Sequence, residues 1–183
     1  MALEKWEIDS GHSGIHFSVR HMVVAKVRGV FSRWSGSIEA DDGDFARGSV
    51  KVVIDASSIE TGVADRDGHL KSPDFLDVAR FPELTFTSKQ ATATAVGRLA
   101  VTGALTLHGV THDVMLDVEY AGRAKDPWGN ERAGFTAKTS IDRKAFGLVW
   151  NQALEAGGVL VGERVDIELE IEAVKQTATT KVG

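Results

Sequence analysis

A chain of 183 residues is long enough for one domain with a buried core, and 43% hydrophobic with 26% charged residues is the composition of a globular protein. The formal net charge of −5 argues against a nucleic-acid binder, which needs a basic surface to contact phosphates. The chain has no cysteine, which excludes disulfides, thiolate metal sites and a cysteine nucleophile.

The first residues already alternate polar with apolar side chains, and no continuous hydrophobic stretch follows them. This is not the pattern of a secretory signal, so we expect a cytoplasmic protein, although a chain whose signal had been removed would look the same. No apolar run approaches the roughly 20 residues that a membrane-spanning helix needs. We therefore expect no stable membrane insertion.

Alternation with a period of two continues through most of the chain, which is the pattern of strands with one buried and one solvated face. The clearest run is the last, where four aliphatic residues between 165 and 171 alternate with Asp166 and three glutamates. Turn signals separate the runs at residues 41–44, 108–109, 128–130 and 157–158.

The runs amount to about eight strands, several of them roughly ten to twelve residues long. A strand of twelve residues spans about 40 Å, which is long for a compact sandwich but suits an elongated up-and-down barrel without exposed edges. The sequence therefore predicts an all-β fold, an eight-stranded antiparallel barrel. We assign residues 1–174 to this domain and residues 175–183, which are small and polar, to a flexible C-terminal tail.

One segment, between Asp55 and Phe81, interrupts the strand pattern. Ser72 as an N-cap, followed by Pro73 and Asp74, predicts the start of a helix. A shorter helix is predicted near residues 65–71. We expect this helical insertion to lie across one mouth of the barrel.

A series of short motifs occurs in a characteristic order along the chain. They are Trp6-Glu7-Ile8-Asp9, Phe17-Ser18-Val19-Arg20-His21, Val27-Arg28-Gly29-Val30-Phe31, the run from Arg66 to Asp77, the run from Gly103 to Thr111, and Ile141 to Gly147 with Trp150-Asn151. Over roughly residues 4–173 the chain thereby resembles the YceI-like proteins. The resemblance implies a lipocalin-like barrel that holds a long isoprenoid chain in its bore. Many relatives are periplasmic or secreted.

Fourteen apolar side chains are predicted to face the barrel interior and to contact such a ligand. They are Phe17, Val19, Phe31, Val52, Ile54, Phe86, Leu99, Val101, Leu105, Leu116, Val118, Phe135, Ile167 and Leu169. Alternating apolar residues alone favour a filled core, whereas the resemblance favours a lined cavity. Each buried five-carbon prenyl unit would contribute roughly 4 kcal/mol before ordering costs. About three or four units would already bind tightly, because affinities saturate, so chain-length preference would come from the length of the bore and its closed end rather than from added affinity.

Three polar residues, Arg66, His69 and Arg143, are candidate contacts for a diphosphate or quinone head group at the mouth. The arginine fork suits a phosphate because it donates two parallel hydrogen bonds. The alternative is structural: Arg66 would pair with Asp67 and cap the insertion, and Arg143 would pair with Asp142.

Catalytic and metal-binding patterns are weak in this sequence. His108 and His112 bracket a turn and could approach one another, but no His-x-His or His-Glu-x-x-His motif accompanies them. We expect no catalytic residue, no metal and no cofactor, with an isoprenoid lipid as the ligand, no nucleic-acid partner, and a homodimer as an option. Two alternatives remain open: an enzyme that uses His108 and His112 or Arg66 and His69, and a filled barrel that acts as a stress or interaction protein.

Overall fold

The computed structural model describes residues 2–22, 24–154 and 160–177. This part of the chain forms eleven strands, one α-helix and short 3-10 segments at residues 10–12, 56–58 and 143–146. The strands are β1 (Leu3–Ile8), β2 (Gly14–His21), β3 (Ala25–Phe31), β4 (Trp34–Asp41), β5 (Asp44–Asp55), β6 (Ile59–Glu60), β7 (Glu83–Ala95), β8 (Arg98–Leu107), β9 (Val110–Lys125), β10 (Glu131–Asp142) and β11 (Val161–Lys175); the helix α1 is Ala64–Lys71.

These strands occupy eight positions around a closed antiparallel barrel. β1 and β2 continue one another along β11, because Ile8 is opposite Ala173 and Gly14 is opposite Glu170. β3 and β4 continue one another in the same way along β2 and β1. From β4 the ring proceeds through β5, β7, β8, β9 and β10 to β11, and it closes where β11 pairs with β1. The predicted eight-stranded antiparallel barrel is confirmed.

The two ends of the barrel are built differently. At the end that we call the mouth lie the β2–β3 hairpin, the β5–β7 connection with β6 and α1, and the β10–β11 connection. At the other end, which we call the closed end, lie the tight turns β4–β5, β7–β8 and β9–β10. Buried apolar residues form two clusters: Ile54, Leu84 and Phe146 belong to the one towards the mouth, and Trp6 and Phe135 belong to the one at the closed end.

The predicted helix near residues 65–71 is confirmed by α1, but the predicted helix start at Ser72 is wrong. Ser72 caps the end of α1 instead, because its hydroxyl and its backbone N–H both donate to the His69 carbonyl, at 2.6 and 3.1 Å. The chain then folds back through turns, and Leu76 N–H donates to the carbonyl of Leu70. This return buries Phe75 and Leu76 beneath the helix.

The predicted turns at residues 41–44, 108–109 and 128–130 join consecutive strands as expected, while residues 157–158 lie outside the described residues. β11 runs to Lys175, and residues 178–183 also lie outside the described residues, so the flexible tail remains a prediction. In the described part of the chain, no helix is long and apolar enough to cross a membrane.

Candidate ligand-binding cavity

The barrel encloses a cavity of about 400 Å³ that extends from the mouth towards the closed end. Pockets for small ligands commonly measure roughly 300–1,000 Å³. All fourteen apolar residues that the sequence placed inside line this cavity, as do Arg66, His69 and Arg143. The interior is therefore lined rather than filled, which argues against the filled-barrel alternative. That each of these residues contacts a ligand remains a prediction.

The apolar wall follows from the register of the strands. Residues directly opposite one another in a sheet point to the same face, so alternation in each strand becomes a continuous surface when the strands pair. Val101 is opposite Leu116 across β8 and β9, and Phe17 is opposite Ile167 across β2 and β11. A one-residue slip in either pair would turn one member outward.

Two glycines make room for aromatic rings in this wall. A Cβ atom on Gly29 would clash with Cζ of Phe17, its neighbour across the β2–β3 hairpin. A Cβ atom on Gly103 would lie 2.6 Å from Cζ of Phe86. Both contacts are far shorter than van der Waals contact, so the two rings occupy space that any other residue would fill.

The closed end is blocked by an aromatic cluster. The ring of Phe45 lies 4.9 Å from that of Phe135, 5.3 Å from that of Tyr120 and 5.5 Å from that of Trp6. Trp6 is fully buried, and the guanidinium of Arg123 stacks over it at 4.9 Å. Burial raises the pKa of the Tyr120 hydroxyl. The bore therefore ends against neutral aromatic groups.

Four alternating charges lie over this aromatic cluster. Lys175 contacts Glu4 at 2.9 Å and Glu131 at 3.2 Å, and Arg123 contacts the same two carboxylates at 3.6 and 3.2 Å. The hydrogen bond from Lys175 lowers the pKa of Glu4 and that of Glu131. Since β1, β9, β10 and β11 each supply one residue, the network ties together the strands that close the ring.

At the mouth, His69 links α1 to the β10–β11 connection. Its Nε2 lies 2.8 Å from the Asp74 carboxylate, and its ring packs edge-on against Trp150 and Phe75, at 4.6 and 5.0 Å. His69 belongs to α1, Asp74 and Phe75 follow it, and Trp150 belongs to the β10–β11 connection, so all four residues lie outside the barrel strands. His69 thus presents one nitrogen to Asp74 while its ring contributes to the cavity wall.

Arg66 lies on the same helix, but the alternative that pairs it with Asp67 is wrong. Arg66 donates to the hydroxyl and the carbonyl of Thr61, at 2.7 and 2.8 Å, while Asp67 accepts from the hydroxyl and the backbone N–H of Thr61. The two side chains therefore hold Thr61 in the loop before α1. They fix the helix to the barrel instead of capping it with an ion pair.

Arg143 is 2% exposed, and the alternative that pairs it with Asp142 is also wrong. Its guanidinium donates to four backbone carbonyls, those of Leu148, Trp150, Val161 and Gly162, at 2.6 to 3.2 Å. Asp142 instead accepts from the backbone N–H of Lys144. Burial lowers the pKa of Arg143, and the ring of carbonyls compensates its charge. Arg143 holds the β10–β11 connection in place.

His108 and His112 each contact a backbone carbonyl of the 3-10 segment 143–146. His108 Nδ1 lies 3.1 Å from the carbonyl of Phe146, and His112 Nε2 lies 2.8 Å from that of Ala145. In the three described ranges, no cluster of three or more histidine or carboxylate side chains could hold a metal. The bracketed turn therefore anchors the 3-10 segment 143–146.

Near the closed end, the strands β5 and β7 separate from one another. In the described residues, β5 and β7 pair from Lys51–Thr87 to Asp55–Glu83, and the Ser88 hydroxyl accepts from Val50 N–H at 2.8 Å. Beyond that point the cavity is lined by Gly48, Ser49 and Ala91. Small residues on the two separated strands therefore form the side of the bore just above Phe45.

Several wall residues were missed at the sequence level. Trp34 and Ile38 alternate within β4, a signal that period-two counting could have found. Phe45 directly follows the acidic turn, so its surroundings resemble a solvated loop. Trp150 and Leu160 lie outside the strands, where alternation carries no information about direction.

A family model described as the YceI-like domain matches residues 6–173. A UPF0312 protein of Vibrio campbellii is 38% identical over 165 residues, which cover 90% of this chain and 83% of the relative. Among solved structures, the Campylobacter jejuni YceI protein has a TM-score of 0.74 at 29% identity, over 86% of this chain and 90% of that one.

A more distant solved structure is a polyisoprenoid-binding domain from Saccharophagus degradans, implicated in plant cell wall breakdown. It has a TM-score of 0.68 at 19% identity, and the match covers 93% of this chain and 98% of that domain. At this identity the likeness concerns the fold.

Proposed function

This chain belongs to the YceI-like family, and we propose that it is a non-enzymatic carrier that holds a long-chain isoprenoid lipid, of the prenyl diphosphate or quinone type, inside the barrel. The observation that carries the proposal is the cavity of about 400 Å³ with a nearly continuous aliphatic and aromatic wall. The fold shared with a polyisoprenoid-binding domain supports it.

The mechanism is the replacement of water around an apolar chain. Each methylene-sized group transferred from water to the wall contributes about 0.8 kcal/mol, against the cost of ordering the chain. A narrow bore suits a slender branched chain, because aromatic rings such as Phe17 and Phe86 are already seated against glycines and leave the axis open.

The distribution of polar groups along the cavity favours one orientation of the ligand. Arg20, His21, Arg66, His69 and Arg143 all line it at the mouth, whereas the closed end presents Phe45 and Phe135. An amphiphile would therefore bury its tail towards the aromatic cluster and leave its head near α1. His69 and Arg66 are the proposed head-group contacts, since most donors of Arg143 already bind carbonyls.

The first experiment is organic extraction of freshly purified protein, followed by mass spectrometry of the extract. We expect an isoprenoid at about one molecule per chain. An empty extract, together with no uptake of quinones or prenyl diphosphates in a direct binding assay, would contradict the proposal.

A pair of neighbouring substitutions on β9 tests whether the site is internal. Leu116 lines the cavity, whereas Met115 points outward and is 61% exposed. Leu116→Glu would bury a charge against the ligand chain and should weaken isoprenoid uptake at least about tenfold. Met115→Glu should leave uptake unchanged. Equal uptake by both variants in a fluorescence binding assay, with both chains folded by circular dichroism, would place the ligand elsewhere.

A further inference from the structure

Three of the segments at the mouth also contribute to the cavity wall. Val27 comes from the β2–β3 hairpin, Leu70 from α1 and Trp150 from the β10–β11 connection. The hairpin is joined to the β10–β11 connection because Met22 N–H donates to the carbonyl of Leu160 at 2.9 Å. A surface that touches this end of the barrel therefore touches the entrance of the cavity.

Each of the three segments exposes an aliphatic side chain to solvent. Val24 at the hairpin tip is 89% exposed, with Met22 half-exposed beside it; Val63 precedes α1, and Val149 in the β10–β11 connection is 63% exposed. We call these four residues the apolar rim. A group of exposed apolar residues around an opening is typical of an interaction site.

The hairpin that carries two of the rim residues is basic. Residues 20–28 contain Arg20, Lys26 and Arg28 and no acidic residue, although the chain as a whole has a net charge of −5. Lys26 lies directly opposite Arg20 across the two strands, and Arg28 lies one pair further along the same face. Lys26 and Arg28 together concentrate positive potential on this face of the hairpin.

The closed end differs in charge although it also exposes apolar side chains. Val96 and Trp128 are exposed in its turns. The β4–β5 turn at that end carries Asp41, Asp42 and Asp44. The hairpin, which has no acidic residue, therefore attracts an anionic surface more strongly than this acidic turn does.

We propose that the mouth docks on an anionic lipid bilayer, with the apolar rim inserted among the headgroups and the basic hairpin over their phosphates. The inference rests on the proposed function, because an isoprenoid that fills the bore is too apolar to reach it through water. Docking places the entrance of the cavity against the phase in which such a lipid dissolves.

The expected strength follows from the number of charges. A lysine or arginine near an anionic membrane surface strengthens binding by about fivefold, and the effect falls off within a Debye length of about 8 Å at physiological salt. Reversing both Lys26 and Arg28 should therefore reduce vesicle binding by at least about tenfold. Added salt should weaken the wild-type interaction in the same direction.

The test is flotation with vesicles of phosphatidylcholine alone and of phosphatidylcholine mixed with phosphatidylglycerol. Wild-type protein should float with the anionic vesicles, and the double variant Lys26→Glu, Arg28→Glu should not. Val24→Asp should also reduce binding, whereas Val96→Asp, an equally exposed change at the closed end, should not. Neither hairpin change removes a buried contact, and Lys26→Glu places a carboxylate opposite Arg20.

A second assay separates this inference from the proposed function. Uptake of a fluorescent farnesyl reporter from vesicle-free solution measures the cavity alone, and it should be the same in wild type and hairpin variants. If uptake is normal but wild type floats equally with neutral and anionic vesicles, the docking proposal is overturned and the carrier stands. If anionic flotation is normal but no reporter is taken up, the carrier proposal fails.

A second copy of the chain is the competing occupant of the rim. Sedimentation velocity on wild type and Val24→Asp distinguishes it. A dimer that Val24→Asp dissociates, without any flotation of wild type, would show that the rim is a subunit interface and would overturn membrane docking.

Discussion

At the scale of single residues, Arg132 joins three carboxylates at the closed end of the barrel. Its Nε donates to Asp126 at 2.8 Å, and its Nη1 donates to Asp9 at 3.0 Å and to Glu172 at 3.2 Å. The hydrogen bond from Arg132, with the backbone N–H groups of Asn130 and Trp128, lowers the pKa of Asp126 to about 2. The carboxylates raise the pKa of Arg132 in turn.

The variant Asp126→Asn tests this arrangement through its pH dependence. The folded-state pKa of about 2 lies below the ordinary value of 3.8, so ionised Asp126 stabilises the fold above about pH 4. That contribution disappears as pH falls towards 2. The difference in unfolding free energy between wild type and Asp126→Asn should therefore be full at neutral pH and shrink between about pH 4 and pH 2, as measured by denaturant titration.

The control for this prediction is Asp113→Asn. Asp113 also contacts a cation, Lys89 at 2.7 Å, but both side chains are exposed, and exposed pairs contribute little. Asp113→Asn should leave stability nearly unchanged at every pH. A difference for Asp126→Asn that persists at pH 2, or that grows as pH falls, would contradict the assignment.

At the scale of elements, the close approach of β7 and β8 depends on Gly103. The β7–β8 register shifts between Ser88 and Gln90, next to the pairing of Ser88 with Gly103. A Cβ atom on Gly103 would lie 2.6 Å from the carbonyl oxygen of Thr87 as well as from the ring of Phe86. Since one of these atoms belongs to the backbone of the paired strand, the strand itself would have to move.

Substitution of this glycine should therefore destabilise the barrel. We expect Gly103→Ala to lower the free energy of unfolding by about 1–3 kcal/mol, the usual cost of overpacking a wall. Gly134→Ala on β10 is the matched control, because the atom nearest to its added methyl is the Cβ of Ala121 at 3.5 Å, an ordinary contact. Thermal and urea denaturation measure both. Equal stability of the two variants would mean that β7 and β8 tolerate separation.

At the scale of the whole molecule, the two ends of the barrel differ: polar side chains border the mouth, and packed aromatic rings fill the closed end. The mouth is bordered by histidine and arginine side chains, while Phe45, Tyr120, Phe135 and Trp6 close the bore. A ligand can therefore extend only as far as Phe45. The depth of the cavity, rather than added affinity, sets the longest chain that fits.

Shortening the residue at the end of the bore should change chain-length preference. Phe45→Ala removes six ring carbons from the end of the bore and should shift the optimum towards isoprenoids longer by about one prenyl unit. Phe81→Ala is the control, since Phe81 packs on His108 outside the cavity. Competition assays with a series of prenyl chains measure the optimum. An unchanged optimum in Phe45→Ala would show that the floor lies elsewhere.

The architecture was largely predictable because the direction of a side chain in a strand is a local property. Alternation in β8, β9 and β11 placed Val101, Leu116 and Leu169 on the correct face before any pairing was known. The helical insertion was harder to predict. The signals at Ser72 are those of a helix start, yet the Ser72 hydroxyl donates to the His69 carbonyl at the end of α1. Capping residues serve either role, and competing contacts decide between them.

The barrel, the buried faces of its strands, the absence of cysteine chemistry and the motifs of the YceI-like family could all be inferred from the amino-acid sequence. The tertiary structure decided two things that no local pattern contains. An eight-stranded ring is wide enough either to be filled or to hold a slender ligand, and the way the side chains pack in the closed barrel, rather than their hydrophobicity, leaves this interior open. Arg143 became structural because four carbonyls, two from the β10–β11 connection and two from the first residues of β11, meet around it, and such a meeting depends on how the closed barrel folds that connection back.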